Sequence, residues 1–291
     1  MATYSSDPES RPEFRFWLLT RRILAFTLPW IVLSLLSAVA AAAQSFPAGT
    51  QEALPKCEAV GQGIPHGEVL RGVCRYAATL PQRMPNFTCE QKASRYINDQ
   101  PADVITAKVT YSNGSESYRE IKSIGRPLSE AVLLKVGTWS TGQFESDVRA
   151  IFVGANKVSW QFVDSEKIGD HSALLFQYQV AHQDEPLWQL HMGGQVAAPP
   201  YQGKLWIDKE TAAPVRLDIT ATELPVDFPL ISADVRINYG DVPFGDGSSF
   251  VLPVSSVVSS TARAGRRSRN VLQFQDCHRF RATARIVTPD H

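Results

Sequence analysis

The sequence predicts a mainly β, α+β fold: a curved antiparallel half-barrel sheet of about ten or eleven strands with two short helices packed on the concave face. Three observations predict it. From Asn86 onward, apolar residues fall at every second position in run after run. The runs succeed one another across short Gly, Pro, Asn and polar breaks, so neighbouring strands should pair antiparallel, and the helix-separated units of a doubly wound nucleotide-binding fold are not supported. Only two segments keep helical spacing, and each has a bulky apolar face that the apolar side of a sheet would cover.

The chain opens on a segment of another kind. Arg21 and Arg22 close a basic leader, residues 23–40 are apolar but for small polar residues and Pro29, and Ala41-Ala42-Ala43 supplies the small residues that a signal peptidase reads. Residues 1–43 are therefore expected to be a signal peptide or, if uncleaved, an N-terminal anchor, because the apolar run is also long enough to span a bilayer. Thr20-Arg21-Arg22-Ile23-Leu24 faintly resembles a twin-arginine signal, and no Cys follows Ala43 to carry a lipid anchor. The expected location is periplasmic or secreted, membrane-tethered if the segment is retained. Residues 44–66, rich in Gly, Pro and Ala, read as an irregular arm, and 67–291 as a single half-barrel domain.

Within that domain, residues 68–80 set Val69, Leu70, Val73, Tyr76, Ala77 and Leu80 on one helical face, with Pro81 as the expected stop and Pro85 barring a restart. In 103–112, Ile105, Ala107, Val109 and Tyr111 alternate with polar residues, as in a strand covered on one side. Asn113-Gly114 supplies two residues that tolerate positive φ, and 118–124 can return as the hairpin partner. Ser140-x-x-Gln143 resembles a capping box for the second helix, where Phe144, Val148, Ile151 and Phe152 recur at helical spacing behind Trp139. Strand signals fill the remainder: 158–162, 174–180, 187–192, 204–207, 215–220, 231–239, 249–260, 269–275 and 280–287.

Composition narrows the partners. The chain balances 29 basic against 29 acidic residues, and the leader holds four of the former and three of the latter, so neither the whole nor the mature part is drawn to nucleic acid by charge. Arg263, Arg266, Arg267 and Arg269 form a local basic cluster, read first as a solvated hairpin tip and second as a phosphate or headgroup patch. The four cysteines, Cys57, Cys74, Cys89 and Cys277, all follow the leader; in an oxidising compartment they suggest two disulfides. Three pairings are open. The favoured one joins Cys57 to Cys74, close in sequence, and Cys89 to Cys277, which would tie the first strand to one of the last. There is no C-x-x-C pair to suggest zinc.

Trp206-Ile207-Asp208-Lys209-Glu210-Thr211-Ala212-Ala213-Pro214-Val215-Arg216-Leu217 resembles the strand, turn and strand hairpin of the lipoprotein-carrier (LolA/LolB-like) superfamily. That resemblance implies a periplasmic protein with an incomplete antiparallel barrel, helices over its apolar concave face, and room for acyl chains or hydrophobic partners. A Pro-Asn-Phe-Thr-Cys segment at Pro85 to Cys89, the pair Arg95-Tyr96 and the segment Ser268-Arg269-Asn270 are similar to uncharacterised exported bacterial proteins, and imply export without an activity. The chain differs from a simple lipoprotein shuttle in its larger mature part, its arm and its cysteines. A shared fold does not itself confer function.

Catalytic signatures are missing: there is no H-E-x-x-H, G-x-S-x-G or G-x-x-x-x-G-K. Gly61-Gln62-Gly63 with Gly67 follows no strand and reads as a flexible loop rather than a dinucleotide site. His171, His182 and His191, with Asp184 and Glu185, could in principle converge as a metal-dependent hydrolase centre, but solvated loop and strand positions explain them as well, and no metal is expected. His278 beside Cys277 suggests a thiol nucleophile only if no disulfide consumes the thiol. Asp208 and Asp218 read as a turn and a solvent-face residue rather than a carboxylate pair.

The stronger pointer is aromatic. Trp139, Phe144, Phe152 and Trp160, with Phe162, Trp188 and Trp206, would line an apolar pocket if the second helix only partly fills the concavity, and would form an ordinary core if it fills it completely. The expected function is thus that of a non-enzymatic exported protein binding a hydrophobic ligand or a lipidated partner in a half-barrel cleft, without cofactor. The alternative is an envelope interaction or sensing module with a closed core, whose partner is another envelope protein. Nucleic acid is not expected as a partner, and membrane contact is expected only through the N-terminal segment.

Overall fold

Eleven strands form one antiparallel sheet in the order β4-β3-β2-β1-β13-β12-β11-β10-β9-β6-β5, which leaves β4 and β5 as its two ends. In chain order these are β1 (Phe87–Ile97), β2 (Gln100–Ser112), β3 (Ser115–Ser123), β4 (Arg126–Pro127), β5 (Val158–Ile168), β6 (His171–Val180), β9 (Tyr201–Asp208), β10 (Pro214–Ala221), β11 (Leu230–Pro243), β12 (Ser249–Ala262) and β13 (Arg267–Arg279). The short strands β7 (Leu190–Met192) and β8 (Gln195–Ala197) pair only with each other. This computed structural model describes residues 56–129, 144, 146–153, 157–184, 186–192 and 194–280, which fall in one compact unit, Phe46–His291. The leader, Trp139, the capping pair Ser140 and Gln143, Glu185 and the expected strand beyond Phe280 lie outside the described residues.

The expected unclosed sheet of consecutive antiparallel strands is therefore present. Its unusual feature is a seam: the first described strand, β1, lies beside the last, β13, and among the described residues β1 to β4 pair with the remaining strands only there. Register explains why one face is apolar. A row runs across the sheet from Ile105 through Ala93, Leu272, Ser256, Ile237, Leu217 and Leu205 to Phe176, each the partner of the next. Every member of that row is buried, as the period of two requires. The next row is Asp103, Arg95, Asn270, Val258, Val235, Ile219, Gly203, Tyr178 and Trp160. Gly203 is required here: a Cβ would stand 1.8 Å from the Asp218 carbonyl oxygen and 2.7 Å from the Tyr178 hydroxyl, and that hydroxyl donates to the same carbonyl.

Two helices cover this face. Helix α1 (Gly67–Arg83) buries Val69, Leu70, Val73, Ala77 and Leu80, the face its spacing predicts. It does not stop at Pro81. The ring removes one donor near the helix end, but Met84 N–H still bonds the Leu80 carbonyl, so the last turn survives to Arg83. Helix α2 (Ser146–Phe152) is shorter, with Val148, Ala150 and Ile151 almost fully buried.

The disulfides join Cys57 to Cys74 and Cys89 to Cys277, the favoured pairing. Cys57 lies in a helical turn at 56–59, so the described end of the arm is held against α1. Cys89 and Cys277 staple the β1–β13 seam at a bulge between Thr88 and Glu90. Two further expectations are corrected in detail. The strand expected over 187–192 shortens to β7 and leaves the main sheet, because Gln183 holds this loop through bonds to Trp188 N–H, the Trp188 carbonyl and the Pro199 carbonyl. The strand expected over 158–162 continues to Ile168, with a bulge between Phe162 and Asp164.

Candidate functional site: a groove and the layer behind it

The outer stripe of α1, Gly72, Arg75, Tyr76, Thr79 and Arg83, recurs at helical spacing and forms one wall of an open groove of about 670 Å³. Thr211, Ala212 and Ala213 at the β9–β10 turn, with Asp241, Ser249, Phe250 and Val251 of β11 and β12, form the other side. Helix and turn approach closely at one end, where a Cβ on Gly72 would lie 2.6 Å from that of Ala212. Its apolar lining comes from Tyr76 on one side and Phe250 and Val251 on the other, and Tyr76 is fixed by a 2.8 Å hydrogen bond from its hydroxyl to the Val251 carbonyl. Arg75 is paired with Glu58 at 2.9 Å. The volume lies within the range of small-molecule sites.

Behind the groove, the helix-covered face is not uniformly apolar. Tyr201 and Tyr239 bury hydroxyls, Ser256 buries a hydroxyl and Gln91 buries both amide atoms, all without a hydrogen-bond partner among the described residues. Asp147, on α2, is only 6% exposed. Burial pushes its carboxyl up to about 8, and the negative charge of Glu116 adds to the shift. The Tyr178, Tyr201 and Tyr239 phenols, all raised chiefly by burial, lie within electrostatic reach of Asp147.

The aromatic residues singled out in the sequence are mostly, but not wholly, brought together. Phe152 stacks on Trp160 at 5.2 Å, Trp160 meets Tyr178 at 5.5 Å, and Trp188 meets Tyr201 at 5.1 Å. Phe162 packs on Phe176, whereas Phe144 packs on Phe87 and Phe274 toward the seam. Trp206 departs from this set. Strand alternation turns it to the opposite face, where it clusters with Ala173, Leu175 and Val215, lies under the Arg216 guanidinium and donates from its ring N–H to Glu166. Its signature hairpin is locked by Asp208, which accepts from Glu210 N–H and from the N–H and hydroxyl of Thr211, and contacts His171 Nδ1 at 2.9 Å. Burial raises the Asp208 carboxyl, but these bonds outweigh it and hold the group below its ordinary range.

Asp218 pairs with Arg236 on that same outer face, separately from Asp208. His182 lies 3.9 Å from Asp184 and His191 bonds Gln189, so the three histidines have different partners. Among the described residues, no cluster of three metal-binding side chains is present. The basic cluster is at the β12–β13 turn: Arg263 bonds the Phe228 and Pro225 carbonyls, Arg267 pairs with Asp99, and Arg269 lies over Tyr96. Sequence reasoning missed the groove and Asp147. A signal for the latter existed, because position 147 falls between Phe144 and Ile151 on the helix's apolar stripe.

The fold and its helical cover define the class, an unclosed antiparallel half-barrel. No family model matches the sequence, and no curated protein matches it. Among solved structures the chain is similar to a LolA superfamily protein from Nitrosomonas europaea, with 12% identity and a TM-score of 0.36 over 81% of this chain and 95% of that one. It is also similar to a DUF1329 family protein from Desulfovibrio piger, with 7% identity and a TM-score of 0.38 over 81% and 95% of the respective chains. Identities this low leave function to be read from the chain's own residues.

Proposed function

We propose that the protein is a non-enzymatic, exported binding protein, working in the periplasm, that takes the apolar part of a ligand or of a lipidated partner through the α1 groove into the layer between helices and sheet. The groove at Tyr76 carries this reading: the apolar side chains of Tyr76, Phe250 and Val251 line it together with Arg75 and Arg83, which suits a molecule with an apolar body and a polar end. Burying the ligand's hydrocarbon supplies the affinity, at about 25 cal/mol per Å² removed from water. The two disulfides agree with an oxidising compartment.

Mass spectrometry under native conditions, on protein recovered from the cell envelope with its own leader directing export, followed by solvent extraction, tests the proposal. A co-purifying lipid or acyl chain is expected. Protein that neither carries a lipid nor binds an added hydrophobic fluorophore would overturn it.

A further inference from the structure

On the face of the sheet away from the helices, three neighbouring strands set six polar side chains in a grid. Register places Asp234 beside Ser259 and Ser259 beside Arg269 in one row, and Ser232, Thr261 and Arg267 in the row two residues along. Asp234 is also the partner of Thr220, which alternation puts on the same outer face as Asp218 and Arg216. All six side chains belong to the lining of one cavity of about 130 Å³, separate from the α1 groove.

The charges in the cavity are not equivalent. Arg267 is paired with Asp99 at 2.6 Å, and its backbone N–H donates to the Asn98 side chain, so the β1–β2 turn closes one end with its charge balanced. Arg269 instead lies 4.2 Å from the ring centroid of Tyr96, its partner across the β1–β13 seam, and has no carboxylate partner among the described residues. Stacking fixes the plane of the guanidinium and leaves its fork of N–H groups for a planar or tetrahedral oxyanion. The segments Arg95-Tyr96 and Ser268-Arg269-Asn270, which the groove does not employ, thus meet at this position. On the other side of the cavity, Asp234 accepts the Thr220 hydroxyl at 2.8 Å through Oδ1 and keeps its second oxygen for a further donor.

Asp234 and Arg269 stand two strand spacings apart, about 10 Å at the backbone, with the Ser259 hydroxyl between them. An anion alone would satisfy Arg269 and face the Asp234 carboxylate, and a cation alone would do the reverse. A short molecule bearing both charges, each within about 3 Å of its partner, spans the gap and satisfies both ends.

We propose that this cavity binds a compact zwitterion, an ammonium linked through two carbons to a phosphodiester, with the ammonium on Asp234 and the phosphodiester on Arg269 and the hydroxyls of Ser259 and Thr261. The chemistry is that of a phosphoethanolamine head, free or on a lipid. The site acts independently of the groove.

Three soluble compounds provide the test on protein recovered from the cell envelope: glycerophosphoethanolamine, glycerophosphoglycerol, which keeps the phosphodiester without the ammonium, and ethanolamine, which keeps the ammonium alone. Amide NMR titration should show glycerophosphoethanolamine moving the Ser232, Ser259 and Arg269 resonances and binding at least about tenfold more tightly than either of the others. Asp234→Asn should bring it down to the level of glycerophosphoglycerol, and Arg269→Gln to the level of ethanolamine. Both variants should melt within about 2 °C of the wild type and bind the hydrophobic fluorophore N-phenyl-naphthylamine as it does. Sedimentation with phosphatidylglycerol vesicles, with and without phosphatidylethanolamine, separates the two sources: binding only to the mixed vesicles assigns the site to a lipid head, and binding only of the soluble compound assigns it to a free ligand.

Equal binding of glycerophosphoglycerol and glycerophosphoethanolamine to the wild type would overturn the proposal by showing a plain oxyanion patch, and so would the absence of shifts with all three compounds. These comparisons use the wild type and decide the matter even if a variant fails to fold. A preference for the zwitterion that survives in both folded variants would overturn it as well. Fluorophore binding reports on the groove alone, so loss of either reading leaves the other standing.

Discussion

At the scale of single residues, Asp147 carries a distinct pH signature. Its folded value of about 8 lies far above the roughly 4 of an exposed aspartate, so between those limits the folded state holds a proton that the unfolded state has lost. The stability this group permits is complete below about pH 4, falls as pH rises, and is fully lost once pH passes the folded value. Asp147→Asn removes the titration while preserving shape. Urea unfolding should show the variant equal to the wild type at pH 4 and more stable at pH 9, by on the order of a few kcal/mol; an equal pH dependence in both proteins would contradict it. Residue-scale features were the least legible in the sequence. The alternation that placed Ile105 and Val109 inside also placed Tyr239 inside, but nothing in a period of two says whether a buried phenol finds a partner, and Tyr201 lay outside the expected strand 204–207. Trp206 shows the converse, since hydrophobicity marked it for burial without telling which face of the sheet would bury it.

At the scale of elements, the seam between β1 and β13 decides whether the sheet is one body. Among the described residues, the four strands β1 to β4 pair with the rest of the sheet only through β1 and β13, whose register slips at the Thr88/Glu90 bulge, where Cys89 meets Cys277. That disulfide closes a separation of 188 residues, against 17 for Cys57 and Cys74. Replacing both Cys89 and Cys277 by Ala should cost about 2–5 kcal/mol and raise amide exchange first in β1 and β13. Replacing Cys57 and Cys74 should loosen only the 56–59 turn and the adjoining part of α1; indistinguishable exchange maps would refute the seam's role. Elements were the legible scale. Helix α1 announced its buried face through Val69, Leu70, Val73 and Ala77, and the β2–β3 hairpin announced its turn through Asn113 and Gly114, with φ of 52° and 78°. The boundaries failed where tertiary bonds intervened, as at Pro81 and in the loop held by Gln183.

At the scale of the whole molecule, the question is whether the helical layer closes the half-barrel or leaves a way in. The groove combines pieces far apart in sequence: the outer stripe of α1, the turn after β9, and the facing segments of β11 and β12. No local pattern could disclose it, because Phe250 and Val251 read as ordinary strand residues and Thr79 as the polar side of a helix. Thr79 is well suited to block the groove, since its hydroxyl only returns to the Arg75 and Tyr76 carbonyls of its own helix. Thr79→Trp would place a large ring over Tyr76 without opening the core, at a propensity change of only a few tenths of a kcal/mol. If the groove is the entrance, this variant should melt within about 2 °C of the wild type yet bind N-phenyl-naphthylamine at least about tenfold more weakly and carry no extractable lipid. Unchanged binding would move the entrance elsewhere on the rim, while an enclosed, inaccessible core would leave both proteins without bound fluorophore.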